Sequence, residues 1–498
     1  MSLDLSAILS IWNFVLGFIV FVYLFYKYKF TQWNSKNIPT LSPSIPFGNM
    51  QNPLTRKTTT YEHLKSIYDH MKARGAKHLG IYSYFNMVYV PIDLEIVKKV
   101  MTTDFQHFVD RGVYFNEKDD PLSAHLVNIE GDKWRKLRTK LTPTFTSGKM
   151  RNMFIILTKC GEQMLDALNE TKEVDIKEIL GCFTTDVIGN CAFGLELNSF
   201  AEDKNDFRDF GKKAMKPNLM GILKLIFCMT FQKLSLALRL RILDKEVSNF
   251  FMNAVASTIT YREENNIQRN DFLQLLIELK NTNDINNRLT LQEISAQCFV
   301  FFLAGFETSS TAMTFCLYEL AKNQDVQNKV RDEIVKTIQN HNGILTYDGL
   351  SEMKYLQQVL NETLRMYPSV PFVARKCTMD YSLPISGKLM KKGTRVFIPI
   401  YAIHHDEDIY ENPQVFDPER FSDENKTKRH PYSFLPFGEG PRNCIGSRFG
   451  LMQSKVGLVL LLQKYRFEPS SKTEKITFNP NGILMDTKET IWLTIKKL

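Results

Sequence analysis

The sequence predicts a mainly α-helical protein with small β-sheets, preceded by an N-terminal membrane helix. Apolar residues recur at helical spacing along most of the 498 residues. Short runs rich in β-branched and aromatic residues, at 78–91, 394–400 and 491–495, predict strands of small sheets. Near the N-terminus, residues 5–26 contain no charged side chain, and this run is long enough for a helix that spans a bilayer.

The N-terminal helix is predicted to be a membrane anchor that comprises residues 1–29. Asp4 precedes the apolar run, whereas aromatic residues and lysines cluster at its other end: Tyr23, Tyr26, Tyr28, Trp33, Lys27, Lys29 and Lys36. The positive-inside rule then places the rest of the chain in the cytosol. A cleaved secretory signal is the weaker alternative, because the apolar run is too long and the positive charges follow it.

Prolines punctuate the next segment, residues 30–50, at Pro39, Pro43 and Pro46. Because proline fixes one backbone dihedral and prevents a helix from continuing, we interpret this segment as a semi-rigid strut, with an ordinary linker as the alternative. Residues 51–498 contain no further obvious linker and are predicted to form one large folded unit.

Helical patterns follow one another through this unit. Thr290 and Glu293 form a capping box, and residues 298–306 are apolar on all sides, so the long helix in this region is expected to be buried. Pro368 ends a later helix. Single helices are predicted at 95–101, 131–140, 290–323, 351–367 and 447–464, and a long loop at 110–126. Residues 154–195 and 223–279 are predicted to form amphipathic helices joined by polar loops.

Composition excludes several classes of function. The net charge of +9 fits an anionic membrane surface and an acidic partner protein. Nucleic acid is not expected as a partner, because the chain has neither zinc-finger spacing nor a basic-aromatic motif. The eight cysteines include no CxxC pair and lie mostly in apolar runs, which is typical of free thiols in a reducing compartment. A disulfide framework is therefore not expected.

One cysteine, Cys444, lies in a glycine-rich loop directly before a helix. A metal-ligating thiolate needs backbone N–H groups near its sulfur, and glycines allow the backbone to turn tightly beside a flat cofactor. The positive end of the following helix favours the anion. Arg442 can make a charge-assisted bond with a cofactor carboxylate. A buried cysteine in a glycine-rich turn is the alternative interpretation.

This loop resembles FxxGxRxCxG, the haem loop of the cytochromes P-450. The motif positions are occupied by Phe437, Gly440, Arg442, Cys444 and Gly446. The resemblance implies the cytochrome P-450 fold, with residues 51–498 as a catalytic domain that binds haem b. It also implies that Cys444 is the axial ligand of the haem iron and that Phe437, Gly438 and Arg442 contact the cofactor. Axial thiolate donation favours cleavage of the O–O bond of O2.

The middle of the long helix places polar residues inside an apolar segment. Gly305 costs about 1 kcal/mol relative to alanine there, which close approach of a flat ligand or room for dioxygen would explain. A helix bend, with Glu307 paired to a basic residue, is one interpretation of the polar residues. The stretch also resembles the AGxxT site of the same family. That resemblance implies that Ala304 contacts the haem, that Thr308 orients bound dioxygen and that Glu307 relays protons from solvent.

Glu362 and Arg365 lie three residues apart on one helix face, and Arg420 follows in a Pro-Glu-Arg-Phe run. An exposed pair of this kind contributes little, but a buried pair that loses one partner leaves an uncompensated charge. The three residues resemble the ExxR and PxRF motifs of the family. That resemblance implies a structural role, in which they lock the core behind the haem loop.

Trp134 and Arg138 share a helix face and resemble the WxxxR motif, which implies contacts with the haem propionates. For Trp134 alone, a packed, half-buried indole is the alternative. Arg375 matches another propionate-binding position, so that with Arg442 three cations serve two carboxylates. Neighbouring basic residues indicate a solvated face, which in this family docks an acidic reductase: Lys133, Arg135, Lys136 and Lys140.

Aromatic and aliphatic residues in four segments resemble the substrate-contacting segments of the family. Such walls favour apolar ligands, with few polar groups to fix their orientation. For any one of these residues, plain core packing is the alternative. The predicted pocket residues are Tyr114, Phe115, Phe299, Phe302, Val370, Phe372, Val373, Ile483 and Leu484.

Within the family, the chain resembles insect microsomal enzymes of xenobiotic metabolism, notably at 111–114 and 449–455, although Gly450 stands where many members have alanine. The resemblance implies insertion of one oxygen atom from O2 into small lipophilic substrates, namely xenobiotics, plant toxins, insecticides or endogenous lipids. NADPH would supply electrons through a flavoprotein reductase, with cytochrome b5 as a further partner, at the endoplasmic reticulum membrane.

Three alternatives to a monooxygenase follow from the sequence. A haem-thiolate isomerase or dehydratase would need no reductase, but the intact pair of Glu307 and Thr308 disfavours it. A non-enzymatic haem sensor would show no NADPH-dependent turnover. A thiol-based or metal hydrolase is disfavoured by the scattered cysteines and histidines.

Overall fold

A computed structural model describes residues 5–498 except 169–171, 202–204, 217, 270, 285–287, 474 and 483. Helices dominate the described residues and the sheets are small, so the fold class expected from the sequence is confirmed. The helices are α1 (Leu5–Lys29), α2 (Thr60–Lys72), α3 (Leu94–Lys98), α4 (Gly131–Leu141), α5 (Ser147–Ala167), α6 (Ile176–Ile188), α7 (Asp206–Met215), α8 (Leu219–Thr230), α9 (Gln232–Ala237), α10 (Lys245–Glu264), α11 (Phe272–Lys280), α12 (Leu291–Lys322), α13 (Gln324–Asn340), α14 (Tyr347–Glu352), α15 (Lys354–Met366), α16 (Ile400–His404), α17 (Asp423–Lys426) and α18 (Ser447–Lys464). The strands are β1 (His78–Ser83), β2 (Asn86–Pro91), β3 (Glu173–Asp175), β4 (Val373–Lys376), β5 (Tyr381–Ser382), β6 (Leu389–Met390), β7 (Arg395–Ile398), β8 (Tyr465–Pro469) and β9 (Trp492–Lys497).

The strands form three small sheets in the described residues. The largest has the order β1-β2-β7-β4, in which β2 and β7 are parallel and the other pairs are antiparallel. A second sheet has the order β3-β9-β8, and β5 pairs with β6. In the largest sheet Arg375 on β4 lies opposite Val396 on β7, so both side chains are on the same face.

Helix α12 runs through the core. Its start is fixed by the predicted capping box, in which the Thr290 hydroxyl accepts the Glu293 N–H and the Glu293 carboxylate accepts the Thr290 N–H. Helix α6 packs along it, where the Thr184 hydroxyl donates to the Phe306 carbonyl oxygen at 2.9 Å. Most of α12 is buried, as the apolar run predicts.

The structure divides one predicted helix in two. Residues 351–367 were expected to be continuous, but α14 ends before Met353 and α15 begins after it. The Glu333 carboxylate on α13 accepts the N–H groups of Tyr355 and Leu356 at 2.8 Å each. This cap comes from another helix and satisfies the orphan donors of a new helix start, so no local pattern could indicate it.

The N-terminal helix α1 is a candidate membrane anchor. Its apolar window has a mean hydropathy of 2.0 and is 0% buried, whereas α12 passes the same length test as a core helix. Its last turn reaches the fold, where the Phe25 and Phe85 rings lie 5.5 Å apart. The following segment, 30–50, packs on the β1–β2 hairpin. Trp33 is fully buried there, and its indole N–H donates to the Ile81 carbonyl oxygen at 2.9 Å.

Candidate active site

Two glycines shape the loop before α18. Gly438 and Gly440 have φ angles of 66° and 74°, in the left-handed region that favours glycine. A Cβ on Gly440 would lie 2.0 Å from the Met101 carbonyl oxygen, so this backbone approaches its neighbour too closely for any side chain. The Cys444 N–H donates to the Phe437 carbonyl oxygen at 2.8 Å. These contacts hold Cys444 at the start of α18.

Positive groups surround the Cys444 thiol. Arg138 donates to the carbonyl and side-chain oxygens of Asn443 at 2.8 Å each, and Arg111 donates to a carbonyl of the same loop at 3.2 Å. Burial raises the pKa of the Cys444 thiol, while the Gly446 N–H and the two guanidinium groups oppose that rise. A metal ion bound at the sulfur would complete the deprotonation, because a coordinating thiol loses its proton.

An internal space separates the Cys444 loop from α12. Cys444 is the exposed cysteine of the eight, although burial raises the pKa of its thiol, so its sulfur faces a cavity enclosed by protein. On α12, Ala304 is exposed in the middle of a mostly buried helix. Phe145 contacts both sides, with its ring 5.6 Å from the Phe301 ring and 3.8 Å from where a Cβ of Gly446 would lie. The space between α12 and the Cys444 loop is therefore the candidate site for a flat cofactor.

Three arginines border the same region, and Asp110 and Glu130 act on Arg442 without forming an ion pair with it. Among the described residues Arg111, Arg375 and Arg442 form no ion pair, and Nε of both Arg111 and Arg375 has no hydrogen-bond partner. Burial, then Arg111 and Arg442, lower the pKa of Arg375. Burial, then Arg111, lower the pKa of Arg442 to about 9. Clustered, buried cations are unfavourable without an anion, so the two propionates of haem fit this set of donors.

Trp134 and Arg442 stack, with the guanidinium carbon 4.1 Å from the indole ring centroid. Trp134 is buried rather than half-buried. Arg442 also donates to the carbonyl oxygens of Val109, Leu126 and Ile129 at 2.9, 3.2 and 2.7 Å. Arg442 therefore ties the long loop before α4 to the Cys444 loop, and its contact with a cofactor carboxylate stays a prediction.

Thr308 and Gly305 lie on α12 beside the open face. The Thr308 hydroxyl donates to the Ala304 carbonyl oxygen at 2.6 Å, a back-bond of the kind that bends helices. Ser369 donates to the Thr308 carbonyl oxygen at 3.2 Å and brings the segment after α15 to this point. A Cβ on Gly305 would lie 2.4 Å from Cδ1 of Ile188. The structure thus explains Gly305 by the packing of α6 on α12, not by room for a flat ligand.

Glu307 projects into a cluster of charges. Lys177 lies 3.0 Å from the Glu307 carboxylate and also pairs with Asp486, while Lys216 lies 3.3 Å from Asp486. These four residues line a cavity of about 270 Å³. Burial lowers the pKa of Lys177, but Glu307 and Asp486 together raise it above its ordinary value. The pairing of Glu307 with a basic residue, one of the two interpretations of the sequence, is therefore present.

Glu362, Arg365 and Arg420 form what we call the buried charge cluster. Glu362 and Arg365 are each 0% exposed, and Nε and Nη2 of Arg365 donate to the carboxylate at 2.7 and 2.8 Å. The other Arg365 contacts are the carbonyl oxygens of His404 and Pro413, at 2.8 Å each. Nε of Arg420 lies 3.4 Å from the Glu362 carboxylate. Burial raises the pKa of Glu362, and Arg365 opposes that rise.

Phe299 and Phe302, which the sequence assigned to the substrate pocket, lie in the core of the structure. Their side chains are 1% and 0% exposed, and both rings lie 5.1 Å from the Phe251 ring in an aromatic part of the core. With 3.6 residues per turn, both point away from the side of α12 that carries Ala304. Phe301 lies on the side that carries Ala304 and is partly exposed.

Of the other predicted pocket residues, one is buried and five are partly exposed. Tyr114 is buried, and its hydroxyl donates to the Leu240 carbonyl oxygen at 2.7 Å, which fastens the long loop to the segment after α9. Met485 donates to the Ser369 carbonyl oxygen at 3.1 Å and brings the C-terminal segment beside the one after α15. The partly exposed members are Phe115, Val370, Phe372, Val373 and Leu484. Ile483 lies outside the described residues.

Four residues of this region were not identified from the sequence: Arg111, Lys177, His404 and Asp486. Arg111 lies in a run that carried the insect resemblance, which was a usable signal. Lys177 and Asp486 meet only through the fold, and no local pattern marks either. His404 and His405 interrupt an apolar stretch, and that pattern indicates histidines that are buried and hydrogen-bonded.

Comparison with known proteins agrees with this geometry. The family model described as Cytochrome P450 matches residues 41–494. The chain is 40% identical to Cytochrome P450 6a2 of Drosophila melanogaster, over 96% of this chain and 97% of that protein. It is 42% identical to Cytochrome P450 6A1 of Musca domestica, over 95% of both proteins. It is 44% identical to Probable cytochrome P450 6a23 of Drosophila melanogaster, over 94% of this chain and 95% of that protein.

Proposed function

We propose, from the premise that this chain belongs to the cytochrome P450 family and is a haem monooxygenase, that Cys444 is the axial ligand of haem b and that small lipophilic molecules are the substrates. One observation carries the proposal: the Cys444 sulfur opens onto an internal cavity, with Arg111 and Arg138 near it, at the start of α18. When bound there, haem activates O2, and donation from the thiolate favours O–O cleavage.

The residues around the cavity have distinct roles in holding the cofactor. Ala304 and the Cys444 loop, through Phe437 and Gly438, would hold the haem between them. Arg138 and Arg375 would bind the propionates, together with Trp134, Arg442 and Arg111. Because Arg111, Arg375 and Arg442 form no ion pair among the described residues, carboxylates at this point would relieve their mutual repulsion.

Thr308 and Glu307 control protons at the oxygen-binding face. The Thr308 hydroxyl now donates to the Ala304 carbonyl oxygen, and a rotation about its side-chain bond turns it toward the open face. Glu307 lies one residue away, in the charged cavity with Lys177 and Asp486. Protons enter through that cavity and reach the Thr308 hydroxyl from Glu307. The ion pair with Lys177 fixes the position of the Glu307 carboxylate between proton transfers.

The substrate class follows from the open side of the cavity. The partly exposed residues that we assign to it are apolar: Phe115, Phe301, Val370, Phe372, Val373 and Leu484. Such walls select lipophilic molecules and leave their orientation weakly fixed, which suits xenobiotics, plant toxins, insecticides or endogenous lipids. A broad set of substrates is therefore expected.

Electron supply and location complete the proposal. Helix α1 anchors the protein in the endoplasmic reticulum membrane, with residues 51–498 as the catalytic domain on the cytosolic side. NADPH supplies electrons through a flavoprotein reductase, and cytochrome b5 is a second donor. The exposed Arg135 and Lys136 on α4 offer an acidic reductase a positive face, whereas Lys133 already pairs with Glu117 at 3.0 Å.

The test is a substrate screen of the full chain reconstituted with haem and an NADPH-dependent reductase. Binding of lipophilic compounds is expected to shift the spin state of the haem, and products are expected only with NADPH. The Cys444→Ser variant is the control and is expected to lose turnover. Absence of any spin-state shift and of any NADPH-dependent product across a lipophilic library would contradict the proposal.

A further inference from the structure

His404, at the end of α16, is fully buried between the buried charge cluster and the Cys444 loop. The Leu435 N–H donates to Nε2 of His404 at 2.9 Å. On the other side, Nδ1 of His404 lies 3.2 Å from the Arg365 carbonyl oxygen. Nη1 of Arg365 donates to the His404 carbonyl oxygen at 2.8 Å, so the two residues are joined twice.

The two partners determine the tautomer of His404. A backbone N–H is only a donor, so Nε2 must present a lone pair to Leu435. A carbonyl oxygen is only an acceptor, so Nδ1 carries the proton toward Arg365. Both bonds exist only in the neutral imidazole with its proton on Nδ1.

The surroundings of His404 keep it neutral. From α15 it faces Arg365, which is paired with Glu362, and His405 follows it directly after α16. From the segment before the Cys444 loop it faces an apolar ring, since Phe434 stacks on the imidazole with centroids 5.5 Å apart. Burial, then His405 and Arg365, hold the pKa of His404 well below its ordinary value.

A short path of hydrogen bonds leads from His404 to the ligand cysteine. Leu435, whose N–H is bound by His404, accepts the Gly438 N–H through its carbonyl oxygen at 3.0 Å. Phe437, two residues after Leu435, accepts the Cys444 N–H at 2.8 Å. The imidazole thus fixes the position of Leu435, to which the first turn of the Cys444 loop is hydrogen-bonded.

We propose that His404 is a positioning residue that ties the Cys444 loop to the buried charge cluster, and that it does so only as the neutral Nδ1–H tautomer. The inference rests on the proposed role of Cys444. If His404 were protonated, an Nε2–H would face the Leu435 N–H at 2.9 Å, and two donors would meet in a fully buried site. Acid would then release the loop and with it the thiolate.

The sign of the pH dependence follows from proton binding. The native state leaves His404 unprotonated, whereas a released loop lets it take up a proton with an ordinary pKa of about 6.5. Stability from this contact is therefore complete above about pH 6.5 and is lost as the pH falls below it, by about tenfold in the equilibrium for each pH unit.

His404→Gln tests the proposal, because glutamine offers one acceptor and one donor but does not titrate in this range. The readout is the red-shifted Soret band of the reduced protein with carbon monoxide, measured in the full chain from pH 7.5 to 4.5. The wild type is expected to lose the band in acid with a slope about one proton steeper than the variant. Equal slopes and midpoints overturn the proposal.

His405→Gln is the matched control. His405 is buried beside His404, but its Nδ1 lies 2.9 Å from the Tyr401 carbonyl oxygen within the same helix. Burial, then Arg365, lower the pKa of His405 to about 3. Because its contact is with Tyr401 and not with the segment before the Cys444 loop, we expect His405→Gln to change global unfolding, followed by far-UV circular dichroism, but not the acid loss of the band. An equal effect of both variants on the band overturns the specific role of His404.

Two further outcomes separate this inference from the proposed function. If the wild type shows no red-shifted band even at pH 7.5, the proposed role of Cys444 is contradicted. The inference about His404 is then contradicted as well, because it rests on that role. If His404→Gln does not fold, the wild type decides alone. Loss of its band below pH 6.5 with a slope of at least about one proton supports the proposal, and a loss independent of pH overturns it.

Discussion

Replacing Glu362 with alanine removes the acid from the buried charge cluster. Arg365 then loses acceptors at 2.7 and 2.8 Å, and the Asp417 N–H loses one at 3.0 Å. Because Glu362 and Arg365 are both 0% exposed, water does not replace the lost carboxylate. Breaking a buried ion pair costs about 3–5 kcal/mol. That is a large part of the free energy of unfolding of a typical domain, about 5–15 kcal/mol.

The variant is assayed by its urea midpoint and by the ratio of haem to protein after purification. We expect a midpoint lowered by the equivalent of about 3–5 kcal/mol and little bound haem, because the cluster supports the segment that leads to Cys444. Glu419→Ala is the control: its pair with Lys329 is 57% and 50% exposed, so its loss is expected to cost at most about 1 kcal/mol. Wild-type haem content and midpoint in the Glu362 variant would refute the reasoning.

Three further predictions concern the site. Thr308→Ala is expected to divert NADPH-derived electrons into reduced oxygen species, and Thr308→Ser to restore coupling; product formed per NADPH measures both. Lys177→Met, which frees Glu307 from its ion pair, is expected to lower kcat about tenfold with KM unchanged, since positioned proton transfer contributes about 10²–10⁴-fold; unchanged kcat would count against the relay. Gly440→Ala is expected to abolish haem binding, because the new Cβ would lie 2.0 Å from the Met101 carbonyl oxygen. Gly450→Ala is the control and is expected to bind haem normally, because its Cβ would lie 3.8 Å from the Ser309 hydroxyl oxygen.

Local patterns predicted the parts of the fold that local interactions fix. The start of α12 is a capping box between Thr290 and Glu293, so the sequence shows it directly. The break at Met353 is different, since the carboxylate that caps α15 comes from Glu333 on another helix. Helices α2, α7 and α13 were not predicted at all, although Thr59 and Glu62 form a capping box at the start of α2. The sequence therefore does contain a local signal for the start of α2.

The candidate site likewise contains a part that local sequence predicts and a part that only the fold brings together. The Cys444 loop was identified because its glycines and charged residues are close in sequence, and the loop folds on itself. The contact of Lys177 with Glu307 joins distant helices, so no spacing rule could indicate it. Phe302 was assigned to the pocket from the sequence, and Phe301 suits an apolar wall equally well. Only the rotation of α12 in its packed position decides which of the two faces the cavity.

The central claim is one bond between the Cys444 sulfur and the haem iron. Its most direct test is the absorption spectrum of the purified, reduced full chain under carbon monoxide, with Cys444→Ser beside it. We predict a strongly red-shifted Soret band for the wild type and its absence in the variant. A haem-loaded wild type that lacks the shifted band, or a variant that keeps it, would contradict the account.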